Sequence, residues 1–158
     1  MNSLNQCLTF LQRLEELKLI ERANMVLGGT RQENSAEHSW HVATMALILA
    51  PELAEDLDLF KVIAMLLIHD IVEIEAGDTF IHSKDVMSQK AREEKALENL
   101  FNLLPEDQGN YLKELWHECE NLETKEARFA KALDHFQPIM NYHQVGKIYT
   151  DRAPVSID

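Results

Sequence analysis

The stretch LDLFKVIAMLLIHDIVEIEAG, residues 57–77, decides the fold, because it is long, contains no proline, and carries its one glycine at the end. Residues 62–68 are apolar at every position, so a helix built from them has no polar face to turn toward water. We predict one helix over about residues 57–76, buried on every side, as the central helix of the domain. A domain built around such a helix belongs to the all-α class.

Chemically active residues follow the apolar run at the end of this predicted helix. They are His69 and Asp70, then Glu73 one turn later, and Asp78 just past the glycine. Burying an ionised carboxylate without a partner costs several kcal/mol, so these acids need hydrogen bonds or a compensating charge. Two interpretations stay open from these residues alone: a hydrogen-bonded histidine–aspartate pair at a helix end, or the ligands of a divalent cation.

The rest of the chain predicts further helices joined by loops. Leucines recur at three- and four-residue steps near the N-terminus, which is typical of an amphipathic helix. Asn34 and Glu37 form a capping box before a helix that we end at Pro51. The whole chain, residues 1–158, is therefore predicted as a single compact multi-helix domain. Its remaining segments are predicted as loops over 23–34 and 77–86, helices over 88–104, 106–120 and 124–137, and an irregular tail after about residue 143.

The charge of the chain excludes several classes of partner. It carries 27 Asp plus Glu residues against 15 Lys plus Arg, a formal net charge of −12. Binding to a nucleic-acid polymer needs a dense basic surface and an anionic membrane would repel this chain, so we expect neither as partner. No apolar run approaches the ~20 residues of a membrane span. Cys7 and Cys119 match no disulfide-rich or zinc-ribbon spacing, so we expect two free thiols rather than one disulfide, and a cytoplasmic protein.

Two more polar residues interrupt apolar patterns elsewhere in the chain. His38 lies in the first turn of the helix that follows the capping box, and Asp134 lies near the end of the last predicted helix. With His69 and Asp70 they would supply two imidazoles and two carboxylates. This mixture of nitrogen and oxygen ligands suits Mn, Fe, Co, Ni or Zn better than Ca, which takes oxygen ligands.

In order and spacing, these four residues resemble the H…HD…D signature of the HD-domain metal-dependent phosphohydrolases. Residues 31–39, RQENSAEHS, resemble the R-x-E-N-x-x-E-H-S signature of the bacterial deoxyribonucleoside 5′-monophosphatases in that superfamily. Residues 69–78 are similar to the HDxxE…GD pattern of the same branch. The resemblance extends from about residue 8 to residue 142 and implies a single HD-type domain.

The resemblance also implies a role for each candidate residue. Four residues would bind one divalent metal ion (Mn, Co, Fe, Ni, Zn or Mg), two acids would handle the attacking water and the leaving group, and basic residues would bind the substrate. In that order, the residues are His38, His69, Asp70 and Asp134; Glu73 and Asp78; and Arg22 and Arg31. Lys84 lies in the predicted loop after Asp78, where it could reach a substrate phosphate, so we expect it to bind substrate as well.

Together these features predict metal-dependent hydrolysis of a small phosphate monoester, with a (deoxy)nucleoside 5′-monophosphate as the favoured substrate. Two alternatives stay open: another HD phosphohydrolase acting on a cyclic nucleotide, a nucleoside triphosphate or an alarmone, and a catalytically silent metal-binding scaffold. The nucleotidases that the chain resembles are dimers, and the stripe Leu4, Leu8 and Leu11 predicts a homodimer unless it packs in its own core. Family members usually continue through one more helix, so we expect either a truncated chain or a pocket closed differently.

Overall fold

The structure of the chain, a computed structural model, describes residues 2–77 and 86–145. Over these residues the fold is all-α as predicted, with a small two-stranded antiparallel sheet near the N-terminus. In chain order the elements are α1 (Ser3–Leu14), a 3₁₀ segment (Glu15–Leu19), β1 (Glu21–Met25), β2 (Gln32–Asn34), α2 (Ser35–Leu53), α3 (Leu59–Ile68), α4 (Glu73–Ala76), α5 (Val86–Phe101), α6 (Glu106–Glu120) and α7 (Lys125–Val145).

The stretch predicted as one central helix is two helices, α3 and α4, joined by a buried turn. The prediction of a continuous helix over residues 57–76 is therefore wrong. In a continuing helix the His69 carbonyl would accept the Glu73 N–H, but that N–H bonds instead to the Asp70 carbonyl (3.0 Å). The His69 carbonyl accepts the Trp116 Nε1–H from α6 (3.0 Å). A contact from a distant helix thus satisfies the backbone where the first helix stops.

Helix α3 lies at the centre of the domain but is not buried on every side. It packs against α2, α6 and α7, and Val62, Met65 and Leu66 are at most 1% exposed. Phe60 and Leu67, by contrast, are 77% and 48% exposed, so the predicted burial on all sides is wrong for one face. These two side chains lie seven residues apart and share that face. The sequence could not reveal an outer face because no polar residue marks it.

The segment predicted as a loop over residues 23–34 contains part of a β-hairpin, so that prediction is wrong for β1 and β2. The strands pair antiparallel, with Glu21 opposite Asn34. The turn between them uses Gly28 and Gly29 at φ values of 92° and 65°, which favour glycine. Strands of five and three residues are too short to show a period of two in the sequence.

Two helices continue past the prolines at which they were predicted to end. Pro51 lies inside the last turn of α2, where it removes one backbone hydrogen bond without breaking the helix. Pro138 lies inside α7, which continues through Val145 while Met140 packs against the core. The prediction of an irregular tail after about residue 143 is therefore wrong for residues 144–145, which belong to α7, and residues 146–158 lie outside the described residues.

The apolar core lies where α2, α3, α5, α6 and α7 meet, and it positions the polar side chains at its edge. Several polar side chains of α2 and α7, and of the turn after α3, are buried beside this core. The largest fully buried apolar side chains are those of Met65, Leu66, Leu97, Leu100 and Phe101.

The described residues also bear on the expectations about membranes and disulfides. None of the described helices combines the length and the apolar character needed to cross a membrane. Cys7 and Cys119 are both free thiols, as predicted. Burial raises the pKa of the Cys119 thiol to about 12, so this side chain is a poor nucleophile at neutral pH.

Candidate metal centre

Three helical elements bring His38, His69 and Asp134 together, although these residues are far apart in the chain. Their ligating nitrogen and oxygen atoms all lie within 4.8 Å of one another, and all three residues are buried. His38 lies in the first turn of α2, whose start is fixed by the predicted capping box, in which Asn34 accepts the Glu37 N–H (2.9 Å). His69 directly follows α3, and Asp134 lies in α7.

The His38 imidazole is fully buried and has an oxygen partner at each ring nitrogen. Nε2 lies 2.9 Å from Asp134 Oδ1, and Nδ1 lies 3.2 Å from Gln137 Oε1. On the same side of the ring, Glu33 Oε2 lies 3.7 Å from Nδ1. Burial alone would lower the pKa of His38, but the Asp134 and Glu33 carboxylates outweigh it and raise that pKa above its ordinary value.

His69 presents a buried ring nitrogen for which no described residue supplies a hydrogen bond. Its Nδ1 donates to the Leu66 carbonyl (2.9 Å), which holds the ring in place. Its Nε2 is the unpartnered atom. Asp70 Oδ1 and Asp134 Oδ1 lie 3.1 Å and 3.6 Å from it. A buried nitrogen of this kind, facing two carboxylate oxygens, fits a bound divalent cation, which would complete its coordination.

Asp134 is the carboxylate that both imidazoles share. Its Oδ1 faces His38 and His69, and its Oδ2 pairs with Lys131 one turn earlier in α7 (3.1 Å). Burial alone would raise the pKa of Asp134, but the two imidazoles and the lysine hold that pKa far below its usual range. Asp134 is therefore an ionised carboxylate at neutral pH, the form in which it could bind a cation.

Asp70 connects this cluster to a second polar group formed by Arg22 and Glu73. The Arg22 guanidinium, in β1, donates from Nη1 to Asp70 Oδ2 (2.7 Å) and lies 3.9 Å from Glu73 Oε1. The Ser35 hydroxyl donates to Glu73 Oε2 (2.5 Å) from the first turn of α2. The side chains of Arg22, Asp70 and Glu73 remain 14%, 11% and 13% exposed, so this edge of the cluster is not fully closed to solvent.

The structure separates the residues predicted to bind substrate. Arg22 lies against the cluster, whereas Arg31 is exposed and forms a bidentate pair with Glu37 (2.8 and 2.6 Å), which lowers the pKa of Glu37. Asp78 and Lys84 lie outside the described residues. The predicted residues that the structure brings together are His38, His69, Asp70, Asp134, Glu73 and Arg22.

Sequence reasoning missed four residues that surround the site. Glu33 and Ser35 lie inside the motif at residues 31–39, but their burial, at 4% and 0% exposure, follows from the packing of distant helices. Lys131 and Gln137 lie three residues before and after Asp134, so helical spacing places all three near one face of α7. The three-residue spacing from Asp134 is the signal that could have identified Lys131 and Gln137.

Comparison with known proteins agrees with this arrangement of helices and side chains. The family model described as HD domain matches residues 14–157. A crystal structure from Magnetospirillum magnetotacticum, described as a predicted metal-dependent phosphohydrolase, is 46% identical, with a TM-score of 0.86 over 90% of this chain and 71% of that chain.

Curated relatives from several organisms carry the name 5′-deoxynucleotidase HDDC2. The protein from Bos taurus is 33% identical over 135 residues, which cover 84% of this chain and 64% of the relative. The protein from Dictyostelium discoideum is 30% identical over 147 residues, which cover 89% of this chain and 77% of the relative. The chain thus spans 64% of the length of the bovine relative. Since the family model matches nearly the whole chain, and both histidines and Asp134 of the signature meet in the fold, the chain belongs to the HD-domain family.

Proposed function

We propose that the chain is a metal-dependent phosphohydrolase that cleaves a (deoxy)nucleoside 5′-monophosphate to nucleoside and phosphate. The observation that carries the proposal is the buried His69 Nε2, which faces the Asp70 and Asp134 carboxylates beside the Arg22 guanidinium. The names of the relatives, at 33% and 30% identity, support nucleotide monoester hydrolysis. The description of the 46% identical structure supports a metal-dependent phosphohydrolase.

The proposed metal ligands are His38, His69, Asp70 and Asp134. Two imidazoles and two carboxylates suit a divalent ion such as Mn, Co, Fe, Ni or Zn, with Mg as a further candidate. When bound, the ion would supply positive charge for the phosphate oxygens and make a nearby water more acidic. The two histidines contribute orientation, because each Nδ1 lies within hydrogen-bond distance of a protein oxygen and each Nε2 points toward the carboxylates.

Arg22 is the proposed phosphate-binding residue. Its planar guanidinium carries five N–H donors in a fork that matches the oxygens of a phosphate. The Asp70 and Glu73 carboxylates on either side hold this guanidinium in place before substrate arrives. A local cation matters here, because a protein with a net charge of −12 otherwise repels an anionic substrate.

Glu73 is the proposed proton-transfer residue within the described part of the site. In monoester hydrolysis water attacks phosphorus and loses a proton, and the leaving 5′-oxygen gains a proton as its bond to phosphorus breaks. Glu73 is oriented by the Ser35 hydroxyl and lies at the partly exposed edge, where it can accept or return a proton. We propose Asp78 as the second acid, so that the two residues divide the two transfers.

Arg31 and Lys84 are further proposed substrate contacts. Arg31 can reach a substrate only when its bidentate pair with Glu37 opens, so we rank it after Arg22. Lys84 is proposed because it follows Asp78 closely in the chain.

We also propose that the protein acts in the cytoplasm as a homodimer. Leu4, Leu8 and Leu11 on α1 are 66%, 49% and 56% exposed, so this stripe is not packed in the core of its own chain. Exposed apolar patches of this kind often mark protein–protein contacts. Free thiols at Cys7 and Cys119 agree with a reducing compartment. Light scattering at micromolar concentration tests the assembly, and a monomer there would overturn it.

Turnover on a panel of nucleoside mono-, di- and triphosphates and cyclic nucleotides, with each candidate metal supplied in turn, tests the activity. Phosphate release from 5′-monophosphates by the parent, and not by Asp134→Ala, would support the proposal. Hydrolysis confined to triphosphates or cyclic nucleotides would assign the chain to another activity of the superfamily. Tight metal binding without turnover on any substrate would make the chain a silent metal-binding scaffold.

A further inference from the structure

The pairing of the two strands is irregular at the start of β1. Glu21 pairs with Asn34, so a regular antiparallel ladder would pair Gln32 with the residue two positions after Glu21. Gln32 instead pairs with Met25, four positions after Glu21, so β1 carries two extra residues between these pairs. A bulge of this kind disrupts the ladder, bends its strand and redirects side chains, and bulges are frequent next to active sites. Arg22 is the first residue of this bulge.

The Gln32 side chain spans the bulge. The backbone of Gln32 pairs with Met25, while its Nε2 donates to the backbone carbonyl of Arg22 (2.8 Å). A carbonyl oxygen only accepts hydrogen bonds, so the NH₂ group must be the end of the amide that faces it. Arg22 is thus held at two points, because its guanidinium also donates to Asp70 Oδ2 (2.7 Å). The hydrolytic mechanism uses Arg22 and Asp70 but assigns nothing to Gln32.

We propose that Gln32 is a positioning residue, which holds the bulge of β1 in the shape that directs the Arg22 guanidinium to the edge of the cluster. This inference rests on the proposed function, in which Arg22 binds the substrate phosphate. A planar guanidinium binds phosphate best when it is oriented beforehand, since ordering a long side chain during binding costs affinity. Gln32 supplies this order from the backbone side of the arginine, and Asp70 supplies it at the guanidinium.

Backbone hydrogen bonds hold the hairpin on both sides of the bulge without help from Gln32. On the side of the turn, the Val26 N–H donates to the Arg31 carbonyl (3.0 Å). At the open end, the Ser35 N–H donates to the Ile20 carbonyl (3.0 Å). A substitution that removes only the side-chain bond of Gln32 is therefore expected to loosen the bulge and to leave the rest of the hairpin in place.

Gln32→Met is the decisive variant, because methionine has a similar length but cannot donate this hydrogen bond. We expect KM for a nucleoside monophosphate to rise ~3–10-fold, the factor that corresponds to one hydrogen bond between neutral groups, with kcat and metal content near those of the parent. Gln6→Met is the matched control. Gln6 Nε2 also donates to a backbone carbonyl, that of Leu104 (3.4 Å), but it lies in α1, so KM is expected to stay unchanged.

A double-mutant cycle separates an effect through Arg22 from a general loosening of the fold. If Gln32 acts through Arg22, Gln32→Met should change KM by less than about twofold in an Arg22→Ala background. Nitrogen-15 relaxation of the Arg22 guanidinium in the metal-free protein measures the positioning without turnover. We expect the order parameter of its Nε–H to fall in Gln32→Met and to stay unchanged in Gln6→Met.

The two measurements together decide the role of Gln32. An unchanged order parameter of Arg22 in Gln32→Met would overturn the positioning role, whatever happens to KM. A rise in KM that persists in the Arg22→Ala background would also overturn it, because Gln32 would then affect the substrate by another route. A parent that hydrolyses no nucleotide would overturn the proposed function, while the relaxation data would still confirm or overturn the positioning of Arg22 by Gln32.

Discussion

Arg22 lies near the open end of the β-hairpin and Arg31 near its turn, and each pairs with a carboxylate in different surroundings. The side chains of Arg22 and Asp70 are 14% and 11% exposed, with N and O atoms 2.7 Å apart. Those of Arg31 and Glu37 are 56% and 38% exposed, at 2.6 Å. The two pairs thus have nearly equal N–O distances but differ in solvent screening, because exposed pairs contribute little and less exposed pairs are screened less.

The difference teaches that the function of each arginine depends on what its carboxylate partner contacts. The other oxygen of Asp70 lies 3.1 Å from the unpartnered His69 Nε2, so Arg22 is one residue away from the candidate metal site. The Glu37 carboxylate instead accepts the Asn34 N–H (3.2 Å) at the start of α2. We therefore expect changes beside Arg22 to alter catalysis and changes beside Arg31 to alter stability slightly.

The largest effect is expected in the cluster that Arg22 adjoins. Asp134→Ala removes the carboxylate shared by His38, His69 and Lys131. Because buried groups lose their charge partner, we expect loss of the metal and a fall of about 3–5 kcal/mol in the free energy of unfolding. Elemental analysis and denaturant titration measure the two effects. His69→Ala is expected to lose the metal as well, and full metal content in both variants would contradict the ligand set.

The second-largest effect is expected at Glu73, the other carboxylate beside Arg22. Glu73→Gln keeps the shape of the side chain but cannot exchange a proton, so we expect turnover to fall ~10²–10⁴-fold with metal content near normal. Glu75→Gln is the matched control on the same short helix, because Glu75 contacts Arg13 (3.2 Å) and Asn99 (2.8 Å) instead. Metal lost together with activity in Glu73→Gln would make Glu73 a ligand. Asp78→Asn is expected to behave as Glu73→Gln does.

The third effect tests Arg22 itself. Arg22→Ala is expected to raise KM for a nucleoside monophosphate ~10–150-fold with a smaller change in kcat, because a hydrogen bond to a charged group contributes about 1.5–3 kcal/mol. Arg22→Lys keeps the charge but loses the planar fork, so its KM should lie between those of the parent and the alanine variant. Steady-state kinetics measure both. A fall in kcat with KM unchanged would place the contact in the transition state alone.

Local signals in the sequence predicted much of the fold. The bounds of α6 and the capping box at Asn34 and Glu37 are confirmed, because they depend on residues within one helix and its first turn. The break after α3 could not be predicted, since the carbonyl of His69 is satisfied by Trp116, 47 residues later. The outer face of α3 was missed for a similar reason: Leu67 is as apolar as its buried neighbours.

In the candidate site, too, the sequence predicted which residues take part, whereas the orientation of their side chains depends on packing. The types and order of His38, His69 and Asp134 predicted a cluster, and the structure brings their ligating atoms within 4.8 Å of one another. The orientation of the imidazoles could not be predicted, because it depends on Gln137 and a backbone carbonyl. Nor could the sequence separate Arg22 from Arg31, since both are arginines near the same motif.

The smallest effects are expected for the exposed pair of Arg31 and Glu37 and for the helix cap beside it. Asn34→Ala removes the acceptor of the Glu37 N–H (2.9 Å) and should lower the free energy of unfolding by about 1 kcal/mol, the usual contribution of a helix N-cap. Arg31→Ala should lower stability less than Asn34→Ala does, because the pair with Glu37 is exposed to solvent. High salt should remove that remaining difference from the parent, while the effect of Asn34→Ala should persist.

Kinetics of Arg31→Ala then decide whether the two arginines differ in function as well as in exposure. Glu37 accepts hydrogen bonds from Arg31 Nη1 and Nη2, and Nη1 also donates to the Gln32 carbonyl, so these bonds point Arg31 away from the cluster and we expect KM to stay close to that of the parent. A rise in KM as large as that of Arg22→Ala would mean that the Glu37 pair opens when substrate binds. In that case Glu37→Gln, which weakens the pair but keeps the cap acceptor, should lower KM, because it frees Arg31 for the phosphate.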